Sequence, residues 1–482
     1  MSDVKIGLEE EPKMELSLES KEIEIETKTS KLNVFNWSMF DLANTIYSMV
    51  IVSLIINKYV ITIGQLENGW EYGDAVRYVS IIVTIMQVII AIGMPIMGAL
   101  SDVAGKRKPY VITLTGIILL GASLLGFLQN IYYVLVFYII ANIAYQWSLA
   151  FYDAMLPFIA APKDAGKVGG FGVAFGYLGT LIVLPIMLVL ENQFGSPVSQ
   201  ITAENPVLAY GYFGEWPTYI ISMGLFLVFA IPFLFVKERQ KVGDRPPVKQ
   251  IIGDSFRQVG RTFKEIRQHR EMFKFIIGYF LVVDVANVIV ANMLLLVTDG
   301  LLMESSFGIY FIMISTVSAV IFTFFIGLFA DKFGAKKSFY LVGSLWAVAI
   351  TIGVLAIFIW ADAANPINAS RIGPFIAVII MGVISGPALG GTWVAQRQMV
   401  IELAPKEKFG EYFGFSKLSG KVSSVIGTLI WGFVFYLYDL MNYKTYAIEM
   451  IVMGVIMAIG ILIISFVKPQ KRLLQETPAI ET

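Results

Sequence analysis

The sequence predicts an all-α membrane protein: twelve transmembrane helices in two pseudo-symmetric six-helix bundles. Three observations carry this. Mean hydropathy is +0.72 and 57% of residues are apolar, whereas soluble domains hold about 45–50%. The apolar residues fall in long runs, and a spanning helix needs roughly 20 of them. One loop pattern occurs twice: Gly98-Ala-Leu-Ser-Asp102-Val-Ala-Gly105-Lys106-Arg107-Lys108 and Gly327-Leu-Phe-Ala-Asp331-Lys332-Phe-Gly334-Ala-Lys336-Lys337. Two similar halves in a membrane protein point to a transporter that rocks one half against the other.

The runs follow in order. The first, 34–62, carries Asp41 and Asn44, and the second, 78–100, ends at the first loop copy. The third is 110–128. The fourth, 132–158, places Asn142, Tyr145, Gln146 and Trp147 at its middle. The fifth, 168–190, holds Gly172, Gly176 and Gly179; the sixth is 217–236. The seventh, 273–298, repeats the Asp-x-x-Asn pattern as Asp284 and Asn287. The eighth, 306–329, ends at the second loop copy, and the ninth is 338–361. The tenth, 373–396, contains Gly386-Pro387 and Gly390-Gly391; the eleventh, 411–438, contains Lys417 and Lys421; the twelfth is 446–467.

These runs divide the chain into a tail (1–32), a bundle (33–236), a linker (237–272), a second bundle (273–467) and a tail (468–482). Residues 1–32 mix Glu and Lys without an apolar core, so they read as a solvated tail and not a cleavable signal. The linker is polar, carries Pro246-Pro247, and reads as a solvated connection between the bundles with room for a basic amphipathic helix over 250–270; a regulatory or lipid-binding role is the alternative. Alternate loops are rich in Lys and Arg: Lys106 to Lys108, Lys163 and Lys167, the linker, Lys332 to Lys337, Lys406 and Lys408, and the final tail. The opposite loops hold only isolated cations such as Arg77, Arg371 and Lys444. This bias places both termini and both repeat loops in the cytoplasm. The plain N-terminus suggests a prokaryotic cytoplasmic membrane.

Net charge is zero, which gives no bulk field for nucleic acid. The chain has no cysteine, so disulfides and thiol chemistry are excluded. Its single histidine, His269, sits in the basic linker, so any proton coupling falls to carboxylates. No metal-ligand cluster, catalytic triad or phosphate-binding loop stands out. The expectation is a transporter without cofactor or resident metal, not an enzyme, and not driven by ATP within this chain.

The repeated loop has a physical reading. Gly98 and Gly327 let neighbouring helices approach closely. Asp102 and Asp331 are placed to accept the free N–H groups at the start of a helix in the other half. Pseudo-symmetry names those starts: Gly410–Phe413 for Asp102, and Gly166–Gly170 for Asp331. Gly105 and Gly334 permit a tight turn. Such contacts form a conformational latch when one side is shut.

This doubled loop resembles the signature of the major facilitator superfamily. Asn36-Trp37-Ser-Met-Phe40-Asp41-Leu-Ala43-Asn44-Thr45 is similar to the start of its vacuole-effluxer-like family, with Phe40 where a Tyr is usual. Tyr152-Asp153-Ala-Met-Leu156-Pro157, the glycines of run five, and Arg397 through Pro405 to Gly414 resemble later family segments. Val285 follows Asp284 where a Gly is typical. The resemblance implies alternating access, a cavity lined by helices 1 and 7, and amino-acid or similar zwitterion export.

Charged residues inside spanning helices are functional candidates by default. Asp41 with Asn44, and Asp284 with Asn287, share helix faces. They bind a substrate amine or a coupling proton or cation, or else fix helix packing. Lys421 is expected to pair with Asp41 or a substrate carboxylate, while Lys417 snorkels toward the cytoplasm. Gln146 is a neutral substrate contact. Asp153 is expected to pair with Arg107. Arg397, Pro387 and Gly176 are gate elements. The cargo is a small solute, the surroundings are lipid bilayer, and the chain acts as a monomer. Rival readings are a cation-coupled sugar symporter and a non-transporting receptor or sensor on the same fold.

Overall fold

The structure, a computed structural model, describes residues 29–56, 72–104, 106–125, 130–194, 216–238, 269–303, 305–361, 370–404, 408–434 and 441–468, with isolated positions at 60, 64, 68–70, 127 and 367. The expected basic helix at 250–270 lies almost wholly outside the described residues, as does Gly105.

Twelve long helices occur among the described residues. They are α1 (Lys31–Ile46), α2 (Tyr72–Ala104), α3 (Lys108–Leu125), α4 (Ile131–Ala154), α5 (Ala165–Phe194) and α6 (Trp216–Ala230). The second half has α7 (Arg270–Leu295), α8 (Ser305–Phe333), α9 (Ala335–Trp360), α10 (Ile372–Leu403), α11 (Phe409–Val434) and α12 (Thr445–Ser465).

Local chemistry explains several ends. The Ser30 hydroxyl accepts the Asn33 N–H at 3.4 Å and starts α1. That start precedes residue 33, and Thr29 is also held: its hydroxyl donates to Asp164 at 2.7 Å. Asn130 caps α4 by accepting the Tyr132 N–H at 3.0 Å. The fourth apolar run is not one helix. α4 stops at Ala154, and a short turn, Leu156–Ile159, restarts at Pro157, where proline is tolerated because its missing N–H is not needed. α1 widens into a π-helical stretch over Tyr47–Ile55. Gly334 has φ +86°, a conformation that favours glycine, and separates α8 from α9.

Packing repeats six helices on. α1 packs on α5 and α6, as α7 packs on α11 and α12. α4 packs on α2 and α3, as α10 packs on α8 and α9; α3 meets α6 as α9 meets α12. Each half has its own buried apolar cluster, one around Trp37, Phe40 and Tyr152, the other around Phe275, Trp346 and Met450. Large apolar side chains such as Ile92, Leu120, Leu429 and Leu462 remain exposed along the helices. In a bilayer those faces meet hydrocarbon, where their exposure carries no penalty.

Ten helices are long and apolar enough to cross a membrane among the described residues. α1 and α11 are not in that set. The α-helical part of α1 is 16 residues long, and α11 carries Glu411, Lys417 and Lys421. α11 thus carries charge that belongs to the buried groups described below, whereas α1 falls short in length.

The halves meet through α2 against α11 and α5 against α8, two contacts related by the same repeat. Glycine makes both possible. A Cβ on Gly327 would lie 3.1 Å from the Gly166 carbonyl carbon and 3.1 Å from the Gly170 Cα. Those are backbone atoms and cannot swing aside. Gly98 faces Gly410 in the same way. Gly327→Val should therefore destabilise the protein by about 1–3 kcal/mol through overpacking. Thermal unfolding of the purified protein checks this, and an unchanged melting temperature contradicts the close apposition.

Candidate functional site

Two symmetric caps join the halves at the face that carries the repeat loops. The Asp102 carboxylate, at the end of α2, accepts the Gly410 N–H at 2.9 Å and the Glu411 N–H at 2.8 Å. The Asp331 carboxylate, at the end of α8, accepts the Gly166 and Lys167 N–H groups, both at 2.7 Å. The first turn of a helix leaves N–H groups without partners and carries partial positive charge. A carboxylate from the other half satisfies both needs. These are the helix starts that the repeat pattern names.

Arg107 supports the first cap. Its guanidinium donates to Asp102 at 3.0 Å and lies 4.1 Å from the centre of the Phe158 ring. It does not pair with Asp153, as the sequence reading expects. Glu238, just past the end of the first bundle, takes that place. It accepts the Arg107 N–H at 2.8 Å, the Lys108 N–H at 3.0 Å and the Arg107 guanidinium at 3.3 Å. These contacts and the Asp102 pair engage Arg107, so Asp153 is left to other cations. The Lys108 ammonium then donates to the Leu234 and Val236 carbonyls at 2.6 and 2.9 Å. In the second half Lys336 donates to the Val467 carbonyl at 3.1 Å, and Glu402 accepts the Ala335 N–H at 3.0 Å.

Deeper between the halves lies a buried ionic cluster. Arg397 of α10 bridges two carboxylates of the first half. It sits 2.8 Å from Asp153 and 3.3 Å from Asp41, and donates to the Gly169 carbonyl at 3.4 Å. Lys417 of α11 sits 2.7 Å from the other Asp153 oxygen. The expectation that Lys417 snorkels outward fails for a physical reason. Asp153 is fully buried, and a buried charge is strongly unfavourable unless paired. Lys421 does not pair with Asp41; Arg397 does. Arg397 is thus more than a gate element at a helix end. It is buried, and its charge lies 5.8 and 5.9 Å from the Trp37 and Tyr152 rings.

Small residues shape the floor of this cluster. A Cβ on Gly172 would lie 2.9 Å from an Asp41 oxygen, and one on Gly176 would lie 3.1 Å from the Thr45 hydroxyl. Pro387 lies inside α10, ten residues before Arg397.

The remaining candidates are dispersed. Asn44 is buried, and neither side-chain atom has a hydrogen-bond partner. Asn287 donates to the Gly420 carbonyl at 3.3 Å, tying α7 to α11. Gln146 is half-buried on α4. Asp284 is buried against Gly427 of α11 and lies outside the Arg397 cluster. Glu238 and Glu449 were not singled out by sequence reasoning. Glu449 had a signal, since it is an acid one turn into the last apolar run.

The fold and the buried charge between its halves define a multi-pass membrane transporter of the major facilitator type. A model of the family described as vacuole effluxer Atg22-like matches residues 161–476, and the chain belongs to that family. An uncharacterized MFS-type transporter of Bacillus subtilis (strain 168), YxiO, is 24% identical over 400 residues, covering 82% of this chain and 86% of that protein. The solved structure of the MFS transporter FucP in its outward conformation matches with TM-score 0.66 at 13% identity, covering 91% of this chain and 98% of that one. The proton:xylose symporter XylE, bound to a bromo-deoxyglucose, matches with TM-score 0.61 at 13% identity, covering 91% and 95%.

Two predictions come from this geometry. Each cap is built of charge-assisted hydrogen bonds worth about 1.5–3 kcal/mol apiece. The chain has no cysteine, so a single Ala330→Cys on the buried α8 face reports alone. Adding Asp331→Ala should raise its maleimide labelling rate about tenfold or more, and an unchanged rate contradicts the cap. Arg397→Ala strands two buried carboxylates and should cost about 3–5 kcal/mol. Arg397→Lys keeps the charge and should recover part of the loss in thermal unfolding; equal losses in both variants would show that the guanidinium's charge is not what matters.

Proposed function

We propose that this transporter carries a small zwitterion, an amino acid or a close analogue, and exports it by alternating access. The loop face lies in the cytoplasm, as the cation bias of the loops supports. The caps at Asp102 and Asp331 hold that side shut and must break for it to open.

One observation carries the choice of cargo. The divide between the halves gathers three cations, Arg397, Lys417 and Lys421, against two carboxylates, Asp41 and Asp153. Arg397 and Lys417 hold both carboxylates. Lys421 lies one turn beyond Lys417 on the same face of α11, and its ammonium is not among the cations that pair with Asp41 and Asp153 in the structure. The surplus cation suits a cargo carboxylate. The cargo ammonium suits Asp41, whose 3.3 Å contact with Arg397 is longer, and so easier to exchange, than the 2.8 Å contact at Asp153.

The sugar reading has less support. Trp37 and Tyr152, the aromatics beside Arg397, stack on each other at 4.4 Å and are fully buried. Neither ring offers a free face to a sugar.

A thermal-shift panel tests the proposal. A ligand at about 100 times its Kd stabilises the native state by about 2.7 kcal/mol. Amino acids should raise the melting temperature, while their methyl esters, which lack the carboxylate, should not. Lys421→Ala should abolish the shift. A response to sugars but not amino acids would overturn the proposal.

A further inference from the structure

A groove with a volume of about 650 Å³ opens on the second half between α9 and α12, two helices that pack together. Tyr340, Ser344, Ala347 and Thr351 line one wall, and Gly454, Ala458 and Ser465 line the other. The four α9 positions recur every three or four residues and so share one face. All four are exposed, as is Ala458, so the groove opens outward. In a bilayer an outward apolar groove meets acyl chains, not water.

The room in it comes from short side chains. A Cβ on Gly454 would meet only the Ile350 side chain, at 3.4 Å or more. From Tyr340 to Thr351 the helical rise gives about 16 Å. That is close to half of a hydrocarbon core about 30 Å thick. Past Thr351 the same face of α9 turns bulky, with Leu355 and Phe358 both exposed. The groove thus has the depth of one leaflet, and it ends where a partner helix crossing the whole membrane would have to continue.

The loop-face end of the groove is basic. Lys336 and Lys337 sit in the first turn of α9, one turn before Tyr340. The Lys336 ammonium donates to the Val467 carbonyl at 3.1 Å, two residues past Ser465, which places it at the mouth. That carbonyl takes one of the three donors an ammonium carries. Lys337 is exposed. A helix start already bears partial positive charge, and the first turn of α9 has no acidic residue. The acids on adjoining elements are engaged. Glu402 of α10 accepts the Ala335 N–H at 3.0 Å and the Gln398 amide at 3.1 Å. Glu271 of α7 pairs with Lys274 at 2.7 Å and also accepts the Lys468 N–H. Asp331 caps α5. Two lysines at a helix start repel each other and oppose the dipole, and an anion resting on both relieves the two costs together.

We propose that this groove binds an anionic phospholipid from the leaflet at the loop face. One acyl chain lies between α9 and α12, and the phosphate rests on Lys336 and Lys337. The apolar walls and the basic mouth are set about one headgroup-to-midplane distance apart, as a single lipid requires. The site is separate from the Arg397 cluster, and its occupancy is measured without any cargo.

Native mass spectrometry of the full chain in detergent counts lipids as they add one at a time. Each lysine near an anionic lipid surface is worth about fivefold in affinity. The first phosphatidylglycerol should therefore bind about twentyfold more tightly than phosphatidylcholine with the same acyl chains. Lys337→Gln should lower that preference about fivefold. Ala458→Trp fills the groove and should abolish the tight site at an unchanged melting temperature. Ser344→Trp fills it from the facing wall and serves the same purpose if Ala458→Trp does not fold. Equal binding of the two lipids by the wild type overturns the proposal, as does a preference that a folded tryptophan variant retains. A dimer mass that the tryptophan variants remove, without any lipid preference, would assign the groove to a second copy of the chain and overturn it too.

Discussion

A charge taken out of water needs a partner, and in this protein the partner usually belongs to the other half. Asp102 finds the start of α11, Asp331 finds the start of α5, and Arg397 of the second half holds Asp41 and Asp153 of the first. Where these groups are buried, as at Asp102, Asp41 and Asp153, water is not at hand to substitute. The halves therefore cannot part at the loop face without offering another partner to each group, or letting water reach it. Glycine sets the distance. Gly98 against Gly410, and Gly327 against Gly166 and Gly170, bring the backbones near enough for short carboxylates to reach across.

The same constraint gives the structure its bias. The caps lie at the ends of α2 and α8 and are related by the repeat, so they cross one divide at two places. The Arg397 bridge lies deeper and spans the same divide. Under the proposed function, a cargo that competes for Asp41 or draws on Lys421 would change the balance of that bridge. Binding at the centre would then be linked to contacts at the loop face without a separate relay element.

Much of the fold was legible because its chemistry repeats. Twelve apolar runs correspond to the twelve long helices, and the doubled Gly-x-x-x-Asp motif named both capped helix starts. Partners within the buried cluster were less legible. Asp153 lies three residues before the turn that ends the fourth apolar run, and its place near the cytoplasmic end of that run suggested Arg107; Glu238 holds that arginine instead. Lys417 looked long enough to reach water, yet a fully buried Asp153 lies 2.7 Å away. Arg397 looked like a helix-end gate because its two acids come from residues more than 200 positions earlier. Periodicity states which face a residue occupies, but not which distant helix that face meets.

The central claim is that carboxylate caps crossing the divide hold the loop face shut. Spin labels placed singly at Lys167 and Lys332 in the cysteine-free chain, one in each half, allow the distance across that face to be measured by pulsed electron resonance. The wild type should give one short distance. The double variant Asp102→Asn, Asp331→Asn should add a longer population. An unchanged distribution would show that the caps do not hold the halves together, and the account would fail at its base.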